Sequence, residues 1–268
     1  MKSQIPNPKS QTANPKSKTN HSTGPKSQKN CEDEMKSQIP NSKSKIPNPK
    51  SQTNHSTGPK SQNNNIERMF LESSSCAEYA DRYLAYLAGL FKRIDPGEIQ
   101  QLGNLLEEAR RGGKQIFFIG NGGSAATSSH FANDLGKGAC VKGKAPFKAM
   151  SLVDNVSLIT ALANDDGYEN VFVAQLQNIL NEGDVVVGIS ASGNSPNVVK
   201  AIEYANSRRA KTVGLTGFSG GRLREVAQVC VHIETPKGEY GPVEDIHMIL
   251  DHLITTYLKM KLMKESTK

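Results

Sequence analysis

The stretch DVVVGISASGNSPN, residues 184–197, decides the fold of this chain. Its apolar first half is typical of a buried parallel strand, and the helical pattern VVKAIEYA follows directly at residues 198–205. Ser195 stands where a helix N-cap is expected, and Pro196 takes the first helical position. The stretch therefore predicts a strand, a tight loop and a helix, which is the repeating unit of a parallel α/β sheet.

The loop of this unit carries three hydroxyls, on Ser190, Ser192 and Ser195, around the main chain of Ala191. Together with free backbone N–H groups at a helix N-terminus, they predict an anion site, most plausibly for phosphate. The loop has no lysine, so it is not a nucleotide P-loop. An ordinary capped turn remains an alternative for this loop taken alone.

A second unit of the same kind lies upstream. The apolar run at 115–119 leads into GNGGS at 120–124 and then into a helical stretch at 125–135, with Ser124 as the expected cap. Ligands of open parallel sheets bind at the carboxyl ends of the strands, so two such loops favour a sugar-phosphate site. The candidate contacts in this loop are Asn121, Gly122, Gly123 and Ser124.

Four motifs in order support one family. NGGS at 121–124, HFANDL at 130–135, AND at 163–165 and GISASGNS at 188–195 resemble the sugar isomerase (SIS) domain, and most closely its phosphoheptose isomerase branch. The resemblance covers about residues 66–265. It implies an isomerase that converts sedoheptulose 7-phosphate to a heptose 7-phosphate through an enediol, in a homotetramer whose sites are shared between subunits.

The fold class expected from the residues themselves is α/β with a five-stranded parallel sheet, because five short apolar strands are each followed by a helix. The resemblance implies the same three-layer α/β/α sandwich. Helices are predicted at 66–94 and 96–111, before the first strand. The strands are predicted at 115–119, 148–153, 184–190, 211–215 and 229–233, and the later helices near 124–136, 156–163, 168–180, 196–208, 221–226 and 242–263.

An aldose–ketose isomerase needs a base beside the substrate carbon and an acid for the oxygen. His130 and Asp134 are spaced i,i+4 and share one helix face, although a surface ion pair would have the same spacing. In the resembled enzymes the histidine is a zinc ligand, and a glutamate at the second position is both ligand and catalytic base. Here the carboxylate is Asp134, which is one methylene shorter.

The last helix carries Glu244 and His252, where the family has Gln and His that are both associated with zinc. The resemblance therefore implies a metal site at His130, Asp134, Glu244 and His252, with His252 as the acid and Glu244 also near substrate. On a regular helix residues 244 and 252 lie about 80° and about 12 Å apart. Sharing one ion would need a frayed first turn or two subunits.

Two further positions have open interpretations. Asn164 and Asp165 match a family pair that contacts substrate hydroxyls, but a turn or cap role explains them equally well. His247 is three residues from Glu244 and is either its partner or a packed helix residue. His232 on the last strand is expected to be structural.

The charge is unevenly distributed along the chain. Of 33 Lys and Arg against 26 Asp and Glu, residues 1–65 hold eleven lysines and three acids, so the remainder is nearly neutral. That tail is a tandem duplication at an offset of 34, rich in Pro, Ser, Asn and Lys, and is predicted to be disordered. A basic tether is one alternative, and a start site further downstream is another. Residues 66–268 form the predicted domain, for which no nucleic-acid partner is expected.

The four cysteines lack paired spacing, and no apolar run reaches the length of a membrane span. A cytoplasmic protein with reduced thiols is therefore expected.

The competing function is a non-catalytic SIS protein that binds phosphosugar or a replication initiator, as in the type that associates with DnaA. A phosphosugar-sensing regulatory domain is a further alternative. Asp134 and His252 favour the enzyme, since a binding module does not need an acid and base pair.

Overall fold

The computed structural model describes residues 64–266, so the predicted disordered tail lies outside the described residues except for its last two positions. Those two residues begin the first helix. Asn64 is the N-cap, and its side-chain oxygen accepts a hydrogen bond of 2.9 Å from the main-chain N–H of Glu67. The first helix therefore begins one residue before Ile66, with a cap at Asn64 that sequence reasoning missed.

Five parallel strands form one sheet, as predicted; they are β1 Gln115–Gly120, β2 Lys148–Ser151, β3 Val185–Ser190, β4 Lys211–Phe218 and β5 Val229–Glu234. Their order across the sheet is β2-β1-β3-β4-β5, which the sequence did not predict. Every residue of the central strand β3 is buried, which explains its continuous apolar sequence. Because β1 and β3 are neighbours, the loops that follow them meet at one edge of the sheet.

The helices follow the predicted order with one correction. The single helix expected over 66–94 is two helices, because Ser75 caps a new one by accepting a hydrogen bond of 3.2 Å from the N–H of Glu78. A π-helical turn, Asp134–Gly138, continues the fourth helix, and a 3₁₀ turn, Tyr168–Asn170, precedes the sixth. The helices are α1 Asn65–Leu71, α2 Cys76–Phe91, α3 Pro96–Arg111, α4 Gly123–Asn133, α5 Val156–Asp165, α6 Val171–Ile179, α7 Pro196–Ser207, α8 Gly221–Val226 and α9 Tyr240–Ser266.

Alternate residues of the strands enter two separate cores, one on each face of the sheet. Ile116 and Phe118 of β1 pack with α3, α4 and α9, whereas Phe117 and Ile119 pack with α6, α7 and α8. The period of two along β1 thus places α4 and α9 together on one side. This confirms the three-layer sandwich, and it brings the helix after the Gly-rich loop against the last helix of the chain.

No described helix is long and apolar enough to span a membrane. The cysteines at 76, 140 and 230 are free thiols, and Cys31 lies outside the described residues. Among the described residues the expectation of unpaired cysteines is therefore confirmed.

Candidate active site

The serine loop, residues 190–195, brings its three hydroxyls together. The Oγ atom of Ser190 lies 3.2 Å from that of Ser195 and 3.5 Å from that of Ser192. Ser195 occupies the N-cap position of α7, but its side chain makes no capping hydrogen bond to the helix. Its hydroxyl is directed to Ser190 instead, so the prediction of the cap position is confirmed and its capping bond is not.

Gly193 gives the serine loop its shape. Its φ of +64° lies in the left-handed region, and a Cβ atom there would lie 1.8 Å from the carbonyl oxygen of Gly220. Only glycine fits between these two main-chain segments. The close contact holds the loop against the segment that follows β4.

The Gly-rich loop, residues 120–124, differs from the prediction in its cap. The helix begins at Gly123 and its N-cap is Gly122, with φ of +54° and no side-chain capping bond. Ser124 is therefore inside the first turn and buried, not the cap. No side chain caps the main-chain N–H groups of this first turn, although the N–H of Ala125 donates to the carbonyl oxygens of Asn121 and Gly122.

An amide pair joins the two loops. The side chains of Asn121 and Asn197 exchange hydrogen bonds of 2.9 Å, and Asn197 is almost wholly buried at the start of α7. The hydroxyl of Tyr168 donates a third bond of 2.9 Å to the Asn121 side-chain oxygen. Asn197 and Tyr168 are residues that sequence reasoning missed, because their role depends on the adjacency of β1 and β3.

Two helices supply a group of possible metal ligands. His130 and Asp134 come from α4 and the turn after it, and Asp251 and His252 come from α9; one potential ligand atom from each lies within 4.8 Å of the others. The Nε2 atoms of the two histidines are 3.0 Å apart. Asp134 Oδ2 lies 3.5 Å from Nε2 of His130 and 3.9 Å from Nε2 of His252. Three of the four predicted metal residues thus meet in one chain.

The fourth residue of this group is Asp251, where Glu244 was predicted. Asp251 is fully buried, and neither of its carboxylate oxygens has a hydrogen-bond partner among the described residues. Burial, reinforced by the nearby carboxylate of Asp134, raises the pKa of Asp251 to about 8. Sequence reasoning passed over it, because adjacency to a histidine does not reveal which side of a helix faces the site.

Glu244 lies at the Gly-rich loop instead. A Cβ atom added to Gly123 would lie 2.2 Å from one carboxylate oxygen of Glu244, so the side chain rests against the first residue of α4. Burial raises the pKa of this carboxyl, and the neighbouring Asp245 adds to the effect. Glu244 is thus placed beside the predicted substrate contacts and outside the group of ligands in this chain.

His247 is a packed residue and not a partner for Glu244. Its imidazole is fully buried and neither nitrogen makes a well-formed hydrogen bond within the described part of the chain. Burial lowers its pKa to about 4, and the main chain of Thr216, which lies near the ring, offsets only part of that effect. His232, predicted to be structural, has its Nδ1 3.0 Å from the hydroxyl of Thr216.

Asn164 and Asp165 are the last residues of α5 and are exposed. The Asn164 amide donates a hydrogen bond of 2.8 Å to the Asp165 carboxylate.

A cavity of about 810 Å³ borders the serine loop, with Ser192 and Asn194 on its lining together with the cations of Arg93 and Lys237. None of the four possible metal ligands lines this cavity.

Comparison with known proteins identifies the family. A family model described as the SIS domain matches residues 78–217. The phosphoheptose isomerase of Akkermansia muciniphila is 35% identical over 188 residues, which are 69% of this chain and 98% of that protein. That of Rhodospirillum rubrum is 38% identical over 159 residues, covering 59% and 82% respectively.

The fold agrees with these relatives. The structure of a phosphoheptose isomerase from Neisseria gonorrhoeae superimposes with a TM-score of 0.62 at 28% identity, over 69% of this chain and 100% of the other. The chain therefore belongs to the SIS domain family. Within it, the relatives named above are phosphoheptose isomerases.

Proposed function

We propose that this protein isomerises sedoheptulose 7-phosphate, a ketose phosphate, to a heptose 7-phosphate through an enediol intermediate. The observation that carries the proposal is the meeting of His130, Asp134 and His252 on the helices beside the two phosphate-type loops. His130 is seven residues after Gly123, or about 10 Å along α4, which is the reach of a sugar chain. A binding module would need the loops but not this group.

The serine loop is proposed to hold the phosphate. The hydroxyls of Ser190, Ser192 and Ser195 and the main chain of Ala191 would donate to its oxygens, with Ser124 and the N–H groups at Gly122 and Gly123 nearby. Asn121, Asn164, Asp165 and Glu244 are proposed to contact the sugar hydroxyls. Hydroxyl and main-chain donors at a helix N-terminus suit a phosphate monoester, and the serine loop itself carries no lysine.

Asp134 is proposed as the base and His252 as the acid. The Asp134 carboxylate takes a proton from C1 of the ketose while His252 gives one to the carbonyl oxygen at C2, which forms the enediol. Asp134 then returns its proton to C2 while His252 accepts the hydroxyl proton from C1, which leaves an aldehyde. Both residues end in their starting states, so the cycle balances without a further reactant.

The donor set fits zinc. Two imidazoles and two carboxylates, one of them buried without a partner, are the nitrogen and oxygen ligands that zinc accepts. A zinc ion held there would polarise the substrate oxygens as a Lewis acid. His130 is proposed to serve only as a ligand.

A cytoplasmic homotetramer with shared sites is proposed as the working form. The side chains of His130 and His252 are 43% and 54% exposed, whereas an enediol must be shielded from water. A neighbouring subunit would provide that cover. Free thiols suit a reducing compartment.

The test is an assay with sedoheptulose 7-phosphate on the full chain, before and after removal of metal by a chelator and after addition of zinc. Formation of heptose 7-phosphate that chelation suppresses and zinc restores is the expected result. A zinc-loaded protein that binds the phosphosugar without turnover would contradict the enzyme and favour the non-catalytic alternative.

A further inference from the structure

The carboxylate of Asp251, on the last helix, is buried without a hydrogen-bond partner among the described residues, which is unusual for such a group. It is fully buried on α9, and neither oxygen is hydrogen-bonded by any residue that the structure describes. A buried carboxylate without a partner is costly, and such groups in proteins are normally paired or bound to a metal. The cost calls for a functional explanation.

The position of this carboxylate provides one. A potential ligand atom of Asp251 lies within 4.8 Å of those of His130, Asp134 and His252. Asp251 and His252 are consecutive on α9, and α9 packs directly against α4. The buried and unpartnered carboxylate is therefore aimed at the point where the other three ligands meet.

Glu244 does not reach this point in the same chain. The helix α9 runs unbroken over Tyr240–Ser266, so the first turn that would have to fray to bring Glu244 to His252 is intact. Over eight helical residues the separation is about 12 Å along the axis. The Glu244 carboxylate lies instead against Gly123, where the helix dipole of α4 favours an anion.

We propose that Asp251, and not Glu244, is the fourth metal ligand in this chain, completing a set with His130, Asp134 and His252. This inference rests on the proposed zinc site of the isomerase. Two carboxylates balance the charge of a divalent ion, and all four ligands come from two packed helices of one subunit. Glu244 is thereby left to the substrate end of the site.

Two variants of the full chain separate these residues, Asp251→Asn and Glu244→Ala. Alanine replaces Glu244 because the resembled enzymes have glutamine at this position, and a glutamine oxygen could itself bind zinc. Zinc bound per chain is measured by mass spectrometry of the metal, and the dissociation constant by competition with a chromophoric chelator. Asp251→Asn is expected to weaken zinc binding more than the roughly 10- to 100-fold that loss of an outer-shell partner causes. Glu244→Ala is expected to stay within about threefold of the wild type, well below that range.

Thermal unfolding separates loss of the ligand from loss of the fold. Without metal, Asp251→Asn should melt close to the wild-type temperature, because the carboxyl group and the amide that replaces it are alike in shape and equally without a partner among the described residues. Added zinc should raise the melting temperature of the wild type and of Glu244→Ala but hardly that of Asp251→Asn. If Asp251→Asn does not fold, Asp251→Leu is used, and the loss of zinc binding is expected to be the same.

The outcomes distinguish this proposal from the one on which it rests. Zinc binding that survives Asp251→Asn, or is lost in Glu244→Ala, overturns the assignment of Asp251 while the isomerase stands. A wild type that binds no zinc overturns both the assignment and the zinc site. The isomerase assay then decides separately whether the chain is an enzyme.

Discussion

At the scale of single residues, the carboxylate of Asp134 has the most central place. It lies between two histidines, 3.5 Å from one Nε2 and 3.9 Å from the other. The resembled enzymes have a glutamate at this position, and the aspartate side chain is shorter by one methylene group. In this fold the shorter side chain still reaches both histidines, so the lost methylene does not remove it from the site.

Asp134→Asn tests the base directly. The amide keeps the shape but cannot accept a proton, so kcat is expected to fall by roughly 10²- to 10⁴-fold. Binding of inorganic phosphate, measured by calorimetry, should be unchanged because the serine loop is intact. Asp81→Asn, an exposed carboxylate on α2, is the control and should behave as the wild type. Joint loss of turnover and phosphate binding would indicate a structural role for Asp134.

Gly193 is the second residue for which the structure predicts a measurable effect, in this case on the free energy of unfolding. Gly193→Ala places a methyl group 1.8 Å from a main-chain oxygen, whereas Gly143→Ala, at φ of +81°, has nothing within 4 Å. The control carries only the cost of the left-handed backbone, about 1–2 kcal/mol. Gly193→Ala should lower the free energy of unfolding in urea by at least about 2 kcal/mol more, because the main chain must shift. Equal losses in both variants would show that the loop tolerates the clash.

At the scale of secondary-structure elements, two site residues can be paired from the sequence only when both lie in one helical segment. His130 and Asp134 could be paired from their spacing alone, because both belong to one helical segment. Asp251 could not be assigned to them, since the face of α9 that meets α4 is set by tertiary packing. The serine and Gly-rich loops were recognised because each lies within one strand–loop–helix unit. Their link through Asn197 required knowledge of the strand order.

The buried face of α9 also predicts a pH effect on stability. The pKa of His247 is about 4 in the folded protein and about 6.5 in the unfolded chain, so below pH 6.5 protons bind preferentially to the unfolded state. Stability is therefore complete above pH 6.5 and is lost as the pH falls towards 4. Between pH 7 and pH 5 this residue should account for a loss of about 2 kcal/mol.

Urea unfolding of the wild type and of His247→Gln, both with chelator present, measures this contribution. The variant cannot take up the proton, so its free energy of unfolding should fall less between pH 7 and pH 5. Other acidic groups titrate equally in both proteins and cancel in the comparison. Parallel pH curves would mean that the His247 side chain is accessible to protons in the folded state.

At the scale of the whole molecule, the three-layer sandwich follows from buried strands that alternate with helices, whereas the order of the strands is known only from the structure. From the sequence, only the resemblance to a family predicts a homotetramer. An exposed apolar residue on a helix does not identify the surface that it contacts. In the structure α9 exposes a row of such residues beside the site, and their spacing places them on one face. They are Ile249, Leu253, Tyr257 and Met260, with 38% to 53% of each accessible.

Leu253→Glu tests whether this face holds the proposed tetramer together. Four exposed apolar side chains in one row are typical of an interface, and a charge buried there would be left unpaired. The variant is expected to give a smaller species by size exclusion with light scattering, with unchanged helix content by circular dichroism. Leu253→Met keeps the position apolar and should retain the wild-type mass.

The turnover rate should depend on the proposed tetramer, because the face of α9 that carries Leu253 lies beside the candidate active site. Leu253 follows His252 in the chain, and the exposed histidines need a neighbouring subunit to exclude water during the enediol step. Dissociation by Leu253→Glu should therefore lower kcat, while zinc binding by the four ligands of one chain should persist. A variant that dissociates and keeps full turnover would show that each subunit encloses its own site. A variant that keeps the wild-type mass would place the interface on another surface.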